Sequence, residues 1–140
     1  MQHNEVYINL PVADVARSRE FFTALGYTIE ERVSDERSVA IVLGRGLNVM
    51  LLRQDFFDTF LRGRAARPGD HEVLLALDVD SPEAVDAHVE AALAAGGTEV
   101  SSERHGDWMY WRSFADPDGH IWESIWMDVN AARAAGEFGG

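Results

Sequence analysis

One local pattern occurs twice in this chain. Leu10-Pro11-Val12-Ala13-Asp14 and Leu77-Asp78-Val79-Asp80-Ser81 each carry an alternating apolar stretch into a residue suited to cap a helix. Each is succeeded by the same series of segments: an amphipathic stretch, a glycine stop and three short strand candidates. A repeat on this scale constrains the fold more than any single motif, because each copy must be one supersecondary unit.

The first copy starts with an alternating strand over 5–12. Val6, Ile8, Leu10 and Val12 form its apolar face; Glu5, Tyr7, Asn9 and Pro11 form the other. Asp14 caps a helix through Leu25 whose stripe is Val15, Phe21, Phe22 and Leu25, and Gly26 ends it. Strands are expected at 28–33, 38–43 and 48–53, with turns at 34–36 and 44–46. The second copy places a strand at 72–79. A helix starts at Ser81-Pro82-Glu83 and runs to about Ala95, before Gly96-Gly97. Further strands are expected at 98–104, 108–114 and 121–127. The expectation is an α+β fold of paired β-α-β-β-β modules, 5–53 and 72–127. The linker 54–71 carries a short amphipathic helix containing Phe56, Phe57, Phe60 and Leu61, and the Ala- and Gly-rich tail 128–140 is expected to fray.

At 140 residues, 46% of them apolar, the chain suits one compact domain or two small halves sharing a core. No apolar run approaches the roughly 20 residues that cross a bilayer. The first residues lack a signal-peptide pattern, so a cytoplasmic chain is expected. With no Cys there is no disulfide, thiolate nucleophile or Cys-type zinc site. With no Lys there is no Schiff base or lysine general base. The formal charge of −12 disfavours nucleic acid and anionic membranes; it favours a cationic ligand, or simply keeps the surface soluble.

The chain resembles the vicinal-oxygen-chelate superfamily of glyoxalases, extradiol dioxygenases, fosfomycin-resistance enzymes and bleomycin-binding proteins. The residues that carry the resemblance are Ile8-Asn9-Leu10-Pro11-Val12 with Ser18, Phe21-Phe22, Leu25-Gly26-Tyr27, and Phe114-Ala115-Asp116-Pro117-Asp118-Gly119-His120-Ile121-Trp122-Glu123. It is most similar to the group of predicted lactoylglutathione lyases, through Val49-Met50-Leu51-Leu52, 109–114 and Trp122 through Asp128. The resemblance implies two modules whose sheets close into a U-shaped barrel around a pocket, normally in a homodimer. It implies that Tyr7 and Asn9 point inward.

Metal-dependent relatives hold a divalent ion with His, Gln or Glu from the first and fourth strands of each module. The matching positions here are Tyr7, the Val49–Leu52 stretch with Met50, Leu74 and Glu123. One carboxylate does not hold a catalytic metal, and His71, His105 and His120 match no ligand position, so no metal or other cofactor is expected. Glu123 in a pocket of Leu74, Met50 and aromatics would be desolvated toward general-base range, or would pair with Arg112 or Arg53. Strand alternation sets Trp108, Tyr110 and Arg112 on one face and Met109, Trp111 and Ser113 on the other; the first set is the candidate ligand-binding face. Asp116-Pro117-Asp118-Gly119 is a turn before it is a calcium site, and Gly44-Arg45-Gly46 is a turn with no phosphate-loop context.

These residues leave three functions open. The first is a metal-independent pocket protein that sequesters an organic or cationic molecule. The second is a glyoxalase-like lyase or isomerase using Glu123 as base, with or without a divalent metal, and with Tyr7, Tyr110 or Arg112 stabilising an enolate-like intermediate. The third is an assembly subunit with a vestigial pocket.

Overall fold

The computed structural model describes residues 1–139 and divides into two compact units, Met1–His71 and Glu72–Gly140. In the first unit β1 (Val6–Val12) leads into α1 (Val15–Ala24), then β2 (Thr28–Ile29), β3 (Ser38–Gly44), β4 (Leu47–Arg53) and α2 (Gln54–Asp58). The strands form one mixed sheet in the order β1-β4-β3-β2, β1 running parallel to β4 and the other pairs antiparallel. Asp14 caps α1 by accepting the Arg17 N–H at 3.1 Å. At its other end Gly26 takes φ +93°, which lets the Tyr27 N–H reach the Phe22 carbonyl at 3.1 Å. Phe21 and Phe22 of α1 pack edge-to-face at 5.0 Å, and both are buried. The sheet residues on the same side as α1 are Leu10, Val12, Val39, Ile41, Val49 and Leu51, all buried.

The second unit repeats the plan. β5 (Leu75–Asp78) is followed by α3 (Pro82–Ala94), β6 (Thr98–His105), β7 (Met109–Ala115), β8 (Ile121–Met127) and α4 (Val129–Ala134), with strand order β5-β8-β7-β6. Ser81 caps α3 through the Ala84 N–H, and Pro82 opens it. Val85, Val89 and Ala92 of α3 are fully buried, as are Trp122 and Ser124 of β8. The turn between β7 and β8 is organised by Asp116. Its carboxylate accepts the N–H groups of Asp118 and His120 at 2.9 and 3.0 Å, and the Trp122 indole N–H at 3.0 Å. Those acidic residues therefore build a turn.

The two parallel pairings put the repeat in register. Asn9 stands beside Met50 and Ala76 beside Glu123; Met50 is opposite Ala40, and Glu123 opposite Ser113. Counting back from the caps Asp14 and Ser81, Asn9 corresponds to Ala76 and Tyr7 to Leu74, so Met50 and Glu123 occupy equivalent places.

Three expectations about the elements are corrected. The strand expected at 28–33 stops at Ile29, and Glu31–Val33 is a 3-10 turn. Glu30 side-chain oxygens accept the Arg32 backbone N–H and two guanidinium N–H groups, and the Ser34 hydroxyl donates to the Glu30 carbonyl at 2.7 Å. Local side-chain bonds compete here with the ladder. The strand expected at 72–79 pairs with β8 only over Leu75–Asp78. The tail is helical: Asp128 caps α4 through the Ala131 N–H at 3.0 Å, and Ala132 is fully buried.

The Ser124 hydroxyl is buried with no hydrogen-bond partner among the described residues. A desolvated, unpaired hydroxyl costs about 1–3 kcal/mol, against a small gain from its own volume. Ser124→Ala is therefore expected to raise stability by about 1 kcal/mol, seen as a higher urea midpoint at unchanged m-value. A lower midpoint would show that the hydroxyl has a bonding role.

Candidate ligand-binding site

Each sheet has one face packed against its own long helix and one face free of it. In the first unit the free face carries Tyr7, Asn9 and Pro11 of β1, Asn48, Met50 and Leu52 of β4, and Ala40 of β3. Here α2 and the residues after it lie against one end. Asn9, Leu52, Phe57, Phe60 and Leu61 enclose a cleft of about 520 Å³, within the range of small-molecule sites. The position of the linker is fixed by bonds from the Gln54 amide to Asp58 and the Ala66 carbonyl, and by Arg67 on Asp58. Phe60 also packs edge-to-face on Phe56 at 5.0 Å, under the Arg37 guanidinium. At the other end of the same face, Glu5, Tyr7, Glu30, Arg32, Ala40 and Asn48 line a recess of about 310 Å³. There the Tyr7 hydroxyl donates to Glu5, and that bond raises the phenol's pKa. The Arg32 guanidinium holds the Glu30 carboxyl down at about 2.

In the second unit the free face carries Ala76, Glu123, Ile125, Ser113, Trp111, Ser101 and Glu103. The Glu123 carboxylate makes no hydrogen bond or ion pair among the described residues. Arg112 does not reach it, and within the first unit Arg53 pairs with Asp55 at 2.7 Å. Arg112 lies on the α3 side, where it donates to Asp86, Glu90 and Glu99, each at 2.9 Å. Tyr110 shares that side, donating to Asp86 at 2.7 Å beneath Arg104. Trp108 is in the turn before β7, stacked on His105 with ring centroids 5.7 Å apart. Tyr110 and Arg112 are thus anchors for α3, across the sheet from Glu123. Leu74 precedes β5 and is exposed.

Tyr7, Asn9 and Met50 are brought together; Trp108, Tyr110 and Arg112 are not joined to Glu123. Sequence reasoning missed Leu52, Phe57, Phe60 and Leu61 as cleft walls, although the phenylalanine spacing marked the segment as amphipathic. It also missed Asn48, beside Tyr7, and Ser113, whose buried hydroxyl lies 2.9 Å from that of Ser101 in the row containing Glu123.

The positions where relatives would hold a divalent ion offer a phenol bonded to Glu5, a thioether, an exposed leucine and one carboxylate. That donor set does not fit a hard or borderline cation. Among the described residues no group of three His, Asp or Glu converges as a metal site.

The family model for the Glyoxalase-like domain matches residues 5–123. The chain belongs to this family. No curated protein matches this glyoxalase-like chain significantly. Among solved structures it is similar to the hypothetical protein SA1046 from S. aureus, with 27% identity over 89% of this chain and 94% of that one, and a TM-score of 0.75. A glyoxalase-related enzyme from Fulvimarina pelagi shares 23% identity over 89% and 88%, with a TM-score of 0.73. The fosfomycin resistance protein FosX from Mesorhizobium loti shares 15% over 95% and 99%, with a TM-score of 0.66. At such identities the last two speak for the fold. Among the described residues of this glyoxalase-like chain no helix is long and apolar enough to cross a membrane.

Proposed function

We propose that this glyoxalase-like protein binds a small organic molecule without a metal, and acts by sequestering it. The observation that carries the proposal is the cleft over β1 and β4. Two phenylalanines and two leucines supply apolar wall and Asn9 supplies one polar contact, the composition typical of small-molecule sites. The donor set at the family's metal positions supports the metal-free part. A thermal-shift panel of divalent metals and aromatic organics tests both parts, with elemental analysis of the purified protein. Aromatic compounds should raise the melting temperature, and Phe57→Ala with Phe60→Ala should remove that rise. Stoichiometric metal, with stabilisation when it is returned, would overturn the metal-free reading.

A second reading is favoured by one feature, the unpaired carboxylate of Glu123 on the free face beside Ser113. There the protein is a lyase or isomerase and Glu123 takes a substrate proton. If so, once a substrate is found, Glu123→Gln abolishes turnover and leaves the melting temperature within a degree or two. A large loss of stability instead would make Glu123 structural.

A further inference from the structure

The four strands of the second module sort their charges by face. Both of their arginines lie on the α3 side. Arg112 donates there to Asp86, Glu90 and Glu99, and the Arg104 guanidinium sits 4.1 Å from the centroid of the Tyr110 ring. That side is complete, with one cation over its ring and another among its acids. The free side has the same kinds of group and no arginine. Glu103 stands directly opposite Trp111 across β6 and β7, and Glu123 stands opposite Ser113, one diagonal from Trp111. Asp78 lies beside Ile125 on the same side. The one basic residue that these strands turn to it is His105, which pairs with Glu103 at 2.8 Å. Trp111 and Glu123 are both half-buried. Among the described residues the Trp111 side chain makes no hydrogen bond, ring contact or cation contact.

We infer that the second module's free face binds a small organic cation with an alkylated ammonium, seated on the Trp111 ring with Glu123 as its counter-charge. The indole face attracts a cation more strongly than the other aromatic rings do, and an ammonium covered by carbon asks for no hydrogen-bond acceptor. Ile125, opposite Trp111 on β8, gives the methyl groups an apolar edge. Glu123 stands within side-chain reach of a group on Trp111, and Glu103 and Asp78 add to the attraction. A neutral molecule of the same shape gains the ring contact alone. An anion is repelled by three carboxylates and by the chain's net charge of −12. This site belongs to the second module, so it is independent of the cleft over β1 and β4. It also needs no turnover, unlike the reading of Glu123 as a base.

The probes are choline and 3,3-dimethylbutan-1-ol, which keeps choline's shape with carbon in place of the charged nitrogen. Binding to the full chain is followed by NMR through the ligand's methyl signal, a reporter that every variant shares. Choline should bind about tenfold tighter than the alcohol. Glu123→Gln should weaken choline about fivefold and leave the alcohol unchanged. Trp111→Leu should remove most of the preference for choline, and Trp111→Phe, which keeps a ring, should retain more of it. Melting temperatures establish that each variant is folded; if Trp111→Leu is not, Trp111→Phe and Glu123→Gln decide the matter. Equal affinities for choline and the alcohol would overturn the inference. A preference for choline that survives both Glu123→Gln and the Trp111 substitution would place the cation elsewhere and overturn the site. Failure of choline to bind at all would overturn it too, while stabilisation by aromatic compounds through Phe57 and Phe60 would still stand for the cleft.

Discussion

Trp122→Ala is expected to leave the second module unfolded or nearly so at 37 °C. Trp122 is fully buried near the start of β8, and truncating such a ring costs about 3–5 kcal/mol in transfer and cavity terms. Its indole N–H is also one of three donors to the buried Asp116 carboxylate. Burial pushes the Asp116 carboxyl pKa up, against the pull of His120 and of those three bonds. Removing the indole leaves a desolvated oxygen unpaired, at a further cost of about 1–3 kcal/mol. The sum approaches the whole stability of a small domain, about 5–15 kcal/mol. Trp122→Phe narrows the terms, because it keeps most of the apolar volume and loses the indole N–H with only part of the ring. Its urea midpoint should fall by the equivalent of about 1–3 kcal/mol. If Phe is tolerated as well as Trp, the bond to Asp116 contributes nothing.

Arg112→Ala is the second large effect, expected at about 2–3 kcal/mol. Arg112 is only 8% exposed, and its guanidinium gathers one carboxylate from β6 and two from α3, so it ties the helix to its sheet. Breaking a buried pair ordinarily costs about 3–5 kcal/mol; the figure here is smaller because the three carboxylates are about half exposed and regain water. Arg112→Lys should recover less than half of the loss, since one ammonium cannot span three acceptors. The pH dependence has a definite sign. Bonds from Tyr110 and then Arg112 lower the Asp86 carboxyl's pKa. Its contribution is therefore complete above the ordinary aspartate value of about 3.9 and is lost as pH falls through the depressed folded value. Asp116, with a raised pKa, works oppositely: its ionisation costs stability as pH rises, and acid relieves that cost. Thermal melts of wild type should fall below about pH 4, and those of Arg112→Ala should fall less steeply. Parallel acid limbs would remove Asp86 and Arg112 from the account.

The fold was legible because it is written twice. Caps at Asp14 and Ser81, stops at Gly26 and Gly96, and alternation in the strands are local signals, and each copy checks the other. What failed was governed by partners distant in sequence or by side chains competing with backbone. Glu30 and Ser34 diverted the chain after Ile29, and nothing local in Ala131-Ala132 announces that Ala132 is buried. The site was half legible. Alternation placed Tyr7 and Asn9 correctly beside one another, because their strand has one plainly apolar face. It could not choose between the two faces of 108–114, where both carry large residues. The choice is made by Asp86 and Glu90, a helix away, which claim Tyr110 and Arg112.

The equivalence of Met50 and Glu123 gives the chain an internal control. Two scaffolds built to one plan differ at one equivalent position of the corresponding strand by a thioether and a carboxylate, and beside it by Ala40 and Ser113. Any property that arises from the scaffold alone must appear in both halves; any that arises from the carboxylate must appear in one. A spectroscopic probe placed at each position in turn would therefore be read against its own twin, with no second protein required as reference.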